Sequence, residues 1–94
     1  MGACGEFVIV YDVSDNQERS RVSKILEGFG FRVQESVFEC ILTVTARERL
    51  RHYLSELDLQ TGFVKFYRIS GNAEKIIVGQ APASPIKEGC VFVV

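Results

Sequence analysis

The run Phe7-Val8-Ile9-Val10-Tyr11 places Phe7, Ile9 and Tyr11 on one face of an extended strand and Val8 and Val10 on the other. A strand apolar on both faces belongs in the middle of a sheet and must be covered on both sides. This strand, read over residues 6–13, carries a carboxylate, Asp12, just before the polar stretch Ser14-Asp15-Asn16-Gln17-Glu18. Ser14 with Gln17, or Asp15 with Glu18, has the spacing of a capping box, in which side chains satisfy the free amides of a helix start. Val22, Ile25, Leu26 and Phe29 then recur at i, i+3, i+4 and i+7, and Gly28 and Gly30 close the helix.

Residues 32–34 and 37–43 read as two short strands joined at Glu35-Ser36, or as one bent strand. Thr45 with Glu48 is a second capping box, followed by an amphipathic helix carrying Ala46, Leu50, Tyr53, Leu54 and Leu57. Residues 63–69 form the next strand. The order strand, helix, strand, strand, helix, strand gives an α+β, ferredoxin-like βαββαβ fold.

That fold places both helices on one face of the sheet, so a second surface must cover the other. Two apolar segments, residues 75–79 and 90–94, follow after the four-stranded unit is complete. Leaving Ile76, Ile77 and Val78 in water forgoes about 1.5–3 kcal/mol each. The expected solution is a symmetric homodimer packed sheet to sheet, with residues 75–79 as an extra C-terminal edge strand on the partner's sheet. Residues 1–80 then make the ferredoxin-like domain with its exchanged strand. Residues 81–94 make a proline-containing linker and an apolar strand, Val91 to Val94, which either docks on another protein or folds back onto its own sheet.

Eleven basic residues against twelve acidic ones leave a net charge of −1, which excludes binding of nucleic acid through bulk positive charge. No apolar run approaches the roughly 20 residues of a membrane helix, and the beginning MGACGEFVIV lacks a basic flank, so no membrane association and a cytoplasmic location are expected. Cys4, Cys40 and Cys90 form no CxxC pair, and reduced thiols are the plain account.

Asp12 is the first candidate for chemistry. Mg²⁺ typically uses one or two carboxylates plus water and substrate phosphate, so two Asp12 side chains meeting across a two-fold axis would suffice. The competing reading makes Asp12 a hydrogen-bond acceptor at the helix start. Asp15 suits a helix cap better than a metal. Arg19 and Arg21 lie near the N-terminal end of the first helix, where the helix dipole disfavours cations, and either phosphate contact or pairing with Glu18 or Asp15 accounts for them. Arg47, Arg49 and Arg51 read either as a basic surface or, more simply, as a solvated face, His52 as an exposed helical residue and Cys40 as a small core residue. No P-loop, GxGxxG or HExxH is present.

Taken together, YDVSD at 11–15, RSR at 19–21, GFGFRVQ at 28–34 and SVFEC at 36–40 resemble the small CRISPR-associated protein family Cas two (Cas2), and the likeness runs over about residues 7–80. The resemblance implies ferredoxin-like protomers in a symmetric dimer with an exchanged edge strand. It implies a role in CRISPR adaptation, the acquisition of new spacers, where the dimer bridges two dimers of the Cas one integrase and holds a DNA duplex. It also implies, for many members, a Mg²⁺-dependent endonuclease acting on RNA or double-stranded DNA. Carried onto this chain, the metal-binding and catalytic aspartate falls on Asp12. Arg19, Arg21, Arg32, Ser36 and Phe38 match the pattern around the substrate cleft, and Val91, Phe92, Val93 and Val94 match the docking tail. Where many members have an aromatic residue before the serine, this chain has Glu35. Two functions follow: an endonuclease centred on Asp12, or a non-catalytic scaffold that holds DNA between integrase dimers. A small-molecule regulatory domain is a third, disfavoured by the lack of a glycine-rich ligand loop.

Overall fold

A computed structural model describes residues 3–69 and 71–81. In it the doubly apolar strand sits inside the sheet, as its composition demands. β1 (Cys4–Val13) pairs antiparallel with both β3 (Val37–Thr43) and β4 (Gly62–Ile69), while β2 (Phe31–Gln34) pairs with β3 at the edge. The sheet order is β2-β3-β1-β4, and α1 (Asn16–Glu27) and α2 (Val44–Ser55) complete the ferredoxin-like α+β arrangement. β2 and β3 are two strands joined by a turn at Glu35-Ser36, which settles the choice against one bent strand.

Alternation along β1 sends Phe7, Ile9, Tyr11 and Val13 into the core. Phe38, Cys40 and Leu42 meet them from β3, Val22 and Leu26 from α1, and Leu50 and Leu54 from α2. Ile9, Val22, Leu26, Phe38, Cys40 and Leu50 are fully buried. Cys40 is a free thiol, and burial, with a smaller contribution from the Glu39 charge, pushes its pKa up to about 12. Cys4, in contrast, is disulfide-bonded, which corrects the reading of every cysteine as a reduced thiol.

Among the described residues no helix lies over the opposite sheet face. Register places Val8 beside Glu39 and Tyr67, Val10 beside Val37 and Lys65, and Asp12 beside Phe63. Phe63 is 53% exposed and Tyr67 47%. Residues 75–79 form no strand on their own protomer's sheet, and Val78 is 93% exposed. Lys75 Nζ meets both carboxylate oxygens of Glu6 at 2.7 Å, tying this segment to the first turn of the central strand. The tail, with Val91 to Val94, lies outside the described residues.

One helix start differs from expectation. Thr43, the last residue of β3, caps α2 by accepting from the Ala46 amide at 3.1 Å, so the helix leaves the strand with no loop between them. Thr45 lies inside the first turn, and Glu48 instead pairs with Arg47 and Arg51 at 3.4 and 3.5 Å. Those contacts sit on a solvated face, as expected. Leu57 packs on the core from beyond the end of α2.

β4 enters beside β1 at Gly62, where an added Cβ would collide with the backbone carbonyl of Asp12. Gly62→Ala should therefore lower stability by about 2 kcal/mol or more in urea titrations. Gly71→Ala, with nothing within 4 Å of the new methyl, should match the parent protein closely.

Candidate functional site

At its C-terminal end β1 passes directly into α1, and the backbone there is held from three sides. The Tyr11 amide donates to Ser36 O at 3.1 Å, and the Tyr11 hydroxyl donates to Glu35 O at 2.9 Å, fixing the β2–β3 turn against β1. Arg19 Nη1 donates to Val13 O at 3.0 Å and to Ser14 O at 2.7 Å, and its Nη2 donates to Asn16 Oδ1. On the far side the Ser14 amide donates to Thr61 O at 3.1 Å.

Asp15 caps α1, accepting from the Glu18 amide at 2.9 Å. Glu18 does not reach back to complete the box. Its carboxylate accepts instead from the Gln60 amide at 3.0 Å, the Thr61 amide at 3.1 Å and the Thr61 hydroxyl at 2.6 Å. The Thr61 oxygen in turn accepts from the Asp15 amide at 3.0 Å. The hydroxyl bond from Thr61, followed by the Gln60 amide, holds the Glu18 carboxyl below its ordinary range. This latch between α1 and the entry to β4 carries no sequence signal, because its partners lie 42 and 43 residues apart.

Between the start of α1 and the β2–β3 turn lies an open groove of about 640 Å³, lined by Asp12, Arg19, Ser23, Arg32, Glu35 and Ser36 among others. Asp12 is exposed and, among the described residues, its carboxylate has no hydrogen-bond or ion-pair partner. It follows Val8 and Val10 on the uncovered sheet face, so it stands where that face meets the groove. With Asp15 serving as the cap, the reading of Asp12 as a helix-start acceptor loses its support.

The other site candidates divide. Arg19, Arg32 and Ser36 line the groove. Phe38 does not: it is fully buried, and the Arg32 guanidinium lies 5.0 Å above its ring, so it meets the groove only through that arginine. Arg32 also donates to Glu35 O, Ser23 Oγ and, at 3.3 Å, Glu27 Oε2. Arg21 lies outside the groove, exposed on a neighbouring shallow concavity with Gln17, Ser20 and Lys24.

The fit to a divalent cation rests on donor chemistry. Asp12 offers a free carboxylate in open solvent, which suits Mg²⁺ held chiefly by water. Among the described residues no group of three or more His, Cys, Asp or Glu is placed to hold a metal, so one protomer supplies a thin donor set and a second Asp12 would complete it.

Comparison with known proteins bears on the same residues. The family model described as CRISPR associated protein Cas2 matches residues 6–76. A CRISPR-associated endoribonuclease Cas2 of Mycobacterium tuberculosis is 37% identical over 85 residues, covering 90% of this chain and 75% of its own. A CRISPR-associated endoribonuclease Cas2 of Chloroflexus aurantiacus is 41% identical over 80 residues, covering 81% of this chain and 86% of its own. The crystal structure of a hypothetical protein from Thermus thermophilus superposes with a TM-score of 0.75 at 30% identity, over 87% of this chain and 99% of that one.

The matched span contains the Glu18–Thr61 latch. Because the folded state lowers the Glu18 pKa, the latch contributes stability that is fully present above the ordinary value of 4.5 and is lost as pH falls through the lower folded value. Glu18→Gln should melt below the parent protein at pH 7. The gap should close in acid once the parent carboxyl is protonated, as followed by melting temperature against pH.

Proposed function

This chain belongs to the CRISPR associated protein Cas2 family, and on that premise we propose that it is an endonuclease which cleaves phosphodiesters as a symmetric homodimer in CRISPR adaptation. The observation that carries the reading is the state of Asp12. Among the described residues it is an unpartnered carboxylate at the lip of a groove, on the sheet face that no helix covers. A second protomer packed on that face would bury the remaining exposed surface of Val8, Val10, Val37, Phe63 and Tyr67, at about 25 cal/mol for each Å² of apolar area covered. It would also bring a second Asp12 toward the first.

Asp12 is the residue that would hold Mg²⁺, directly or through water. Bound there, the cation supplies polarisation of the phosphodiester and a lowered pKa for a coordinated water. Asp12 orients that assembly. The bonds that Tyr11 and Arg19 donate, and the one that Thr61 O accepts from the Ser14 amide, hold the backbone on either side of Asp12. Ser36, with its carbonyl fixed by the Tyr11 amide, presents its side of the groove to the substrate. RNA is the first substrate to test, since the two relatives above are named endoribonucleases, and duplex DNA is the second.

A second reading has its own observation. A single carboxylate with no further clustered ligands among the described residues is a modest catalytic centre, and that favours a DNA-holding scaffold between Cas one integrase dimers, with Val91 to Val94 as the docking strand.

The dimer should appear as twice the 10.5 kDa protomer mass in light scattering at micromolar concentration. Asp12→Asn should abolish Mg²⁺-dependent cleavage, a loss of at least about 100-fold, while the dimer persists. Equal cleavage by parent and variant would remove Asp12 from the chemistry. Deleting residues 81–94 should weaken Cas one binding in pull-down if the scaffold reading holds.

A further inference from the structure

The groove beside Asp12 is larger than a single metal-bound phosphate requires. At about 640 Å³ it lies within the range of clefts that enclose small ligands, roughly 300–1,000 Å³. One wall is a flat cation. Arg32 donates to Glu35 O, Ser23 Oγ and Glu27 Oε2, and these bonds to the edges of its guanidinium set the orientation of the plane. The fully buried Phe38 ring backs one face of that plane at 5.0 Å. The Arg32 side chain is still 37% exposed and lines the groove, which leaves the face away from Phe38 for whatever enters. Guanidinium planes of this kind stack on unpaired bases.

Glu35 stands beside that plane. Its carbonyl accepts from Arg32 and, at 2.9 Å, from the Tyr11 hydroxyl, so its backbone is pinned from two sides. The side chain is exposed in the groove lining, and among the described residues its carboxylate has no hydrogen-bond or ion-pair partner. Arg32 gives its ion pair to Glu27 instead. The Val10–Val37 register is continued by the bond from the Tyr11 amide to Ser36 O, so Asp12 and Glu35 are the next residues on the two segments.

An ionised carboxylate only accepts hydrogen bonds, and it repels phosphate. A strand crossing the groove must therefore offer Glu35 donors, not backbone oxygens. Guanine is the base whose Watson–Crick edge carries two adjacent donors, N1–H and the 2-amino group, which match the two oxygens of a carboxylate. Uracil offers one N–H between two carbonyls, and adenine and cytosine offer one amino group beside a ring acceptor. Those edges are free only in unpaired bases.

We propose that this wall of the groove is a guanine subsite: the base lies on the open face of Arg32, Glu35 accepts from its N1–H and 2-amino group, and the adjoining phosphodiester is brought to Asp12. Glu35 is then a specificity-determining residue. The assignment rests on the nuclease reading above and narrows its substrate to single-stranded RNA with a guanosine next to the cleaved bond.

The test uses labelled single-stranded RNAs that are uridine throughout except for one central guanosine, inosine or adenosine, with an all-uridine control. Affinity for the full-length protein is read by fluorescence anisotropy without Mg²⁺, and cleavage position and rate are read with it. The parent should favour the guanosine RNA over the uridine RNA by roughly tenfold in both readouts. Inosine, which keeps N1–H but lacks the 2-amino group, should fall between. Glu35→Gln, whose amide both donates and accepts, should lose the guanosine preference and shift toward adenosine, with a melting temperature matching the parent. Arg32→Lys keeps the charge without the plane and should weaken binding of the guanosine RNA most. RNA binding that does not distinguish guanosine from inosine and adenosine would overturn the subsite and leave the nuclease reading standing. So would a Glu35→Gln protein that loses cleavage of every RNA equally, since Glu35 would then serve the metal. A parent protein that neither binds nor cleaves any of the RNAs would remove the ribonuclease reading, and the subsite with it.

Discussion

Everything in this protomer depends on one strand being buried from both sides. β1 supplies Phe7, Ile9, Tyr11 and Val13 to the core and Val8 and Val10 to the other face, so its position in the middle of the sheet is dictated before any neighbour is placed. The two helices cover one face only. Among the described residues the other face, with Val8, Val10, Val37, Phe63 and Tyr67, has no helix over it, and that imbalance is the physical ground for the proposed second copy. The candidate carboxylate, Asp12, is on the same strand. The alternation that places Val8 and Val10 on the uncovered face also places Asp12 there, so the proposed assembly and the proposed chemistry draw on one burial pattern.

The fold was legible because its signals are periodic. Val22, Ile25, Leu26 and Phe29 mark a helix face by spacing alone, and all four pack on or against the core. The start of α2 was misplaced because Thr43 and Thr45 both suit a cap, and the choice depends on where β3 stops pairing with β1: the Cys4–Thr43 pair lies at the very end of that ladder. Asp15 was readable as the cap, yet the work of Glu18 was not, because its partners Gln60 and Thr61 arrive from the far end of the domain.

The candidate site was legible in part for the same reason. Asp12 stands out by its place at a strand end, and the structure leaves it exposed at the groove. Phe38, read as a cleft residue, proves fully buried: on β3 its neighbours Val37 and Glu39 point the other way, and burial is what alternation predicts for it. The arginines show what sequence cannot separate. Arg19 and Arg21 are two residues apart on one helix, so they point in different directions, one to the carbonyls of the β1–α1 junction and one to solvent.

The ion pair between Lys75 and Glu6 sets a scale for the whole molecule. Glu6 and Asp12 are six residues apart on one extended strand, a separation of about 20 Å. The segment leading out of the sheet is therefore anchored at one end of β1, and the groove opens at the other. A single rigid ruler keeps the two apart. The Lys75 contact and the groove lining therefore share no residue, although both are built on β1. A domain of this size gains in this way a separation of duties that larger proteins usually obtain from a second domain.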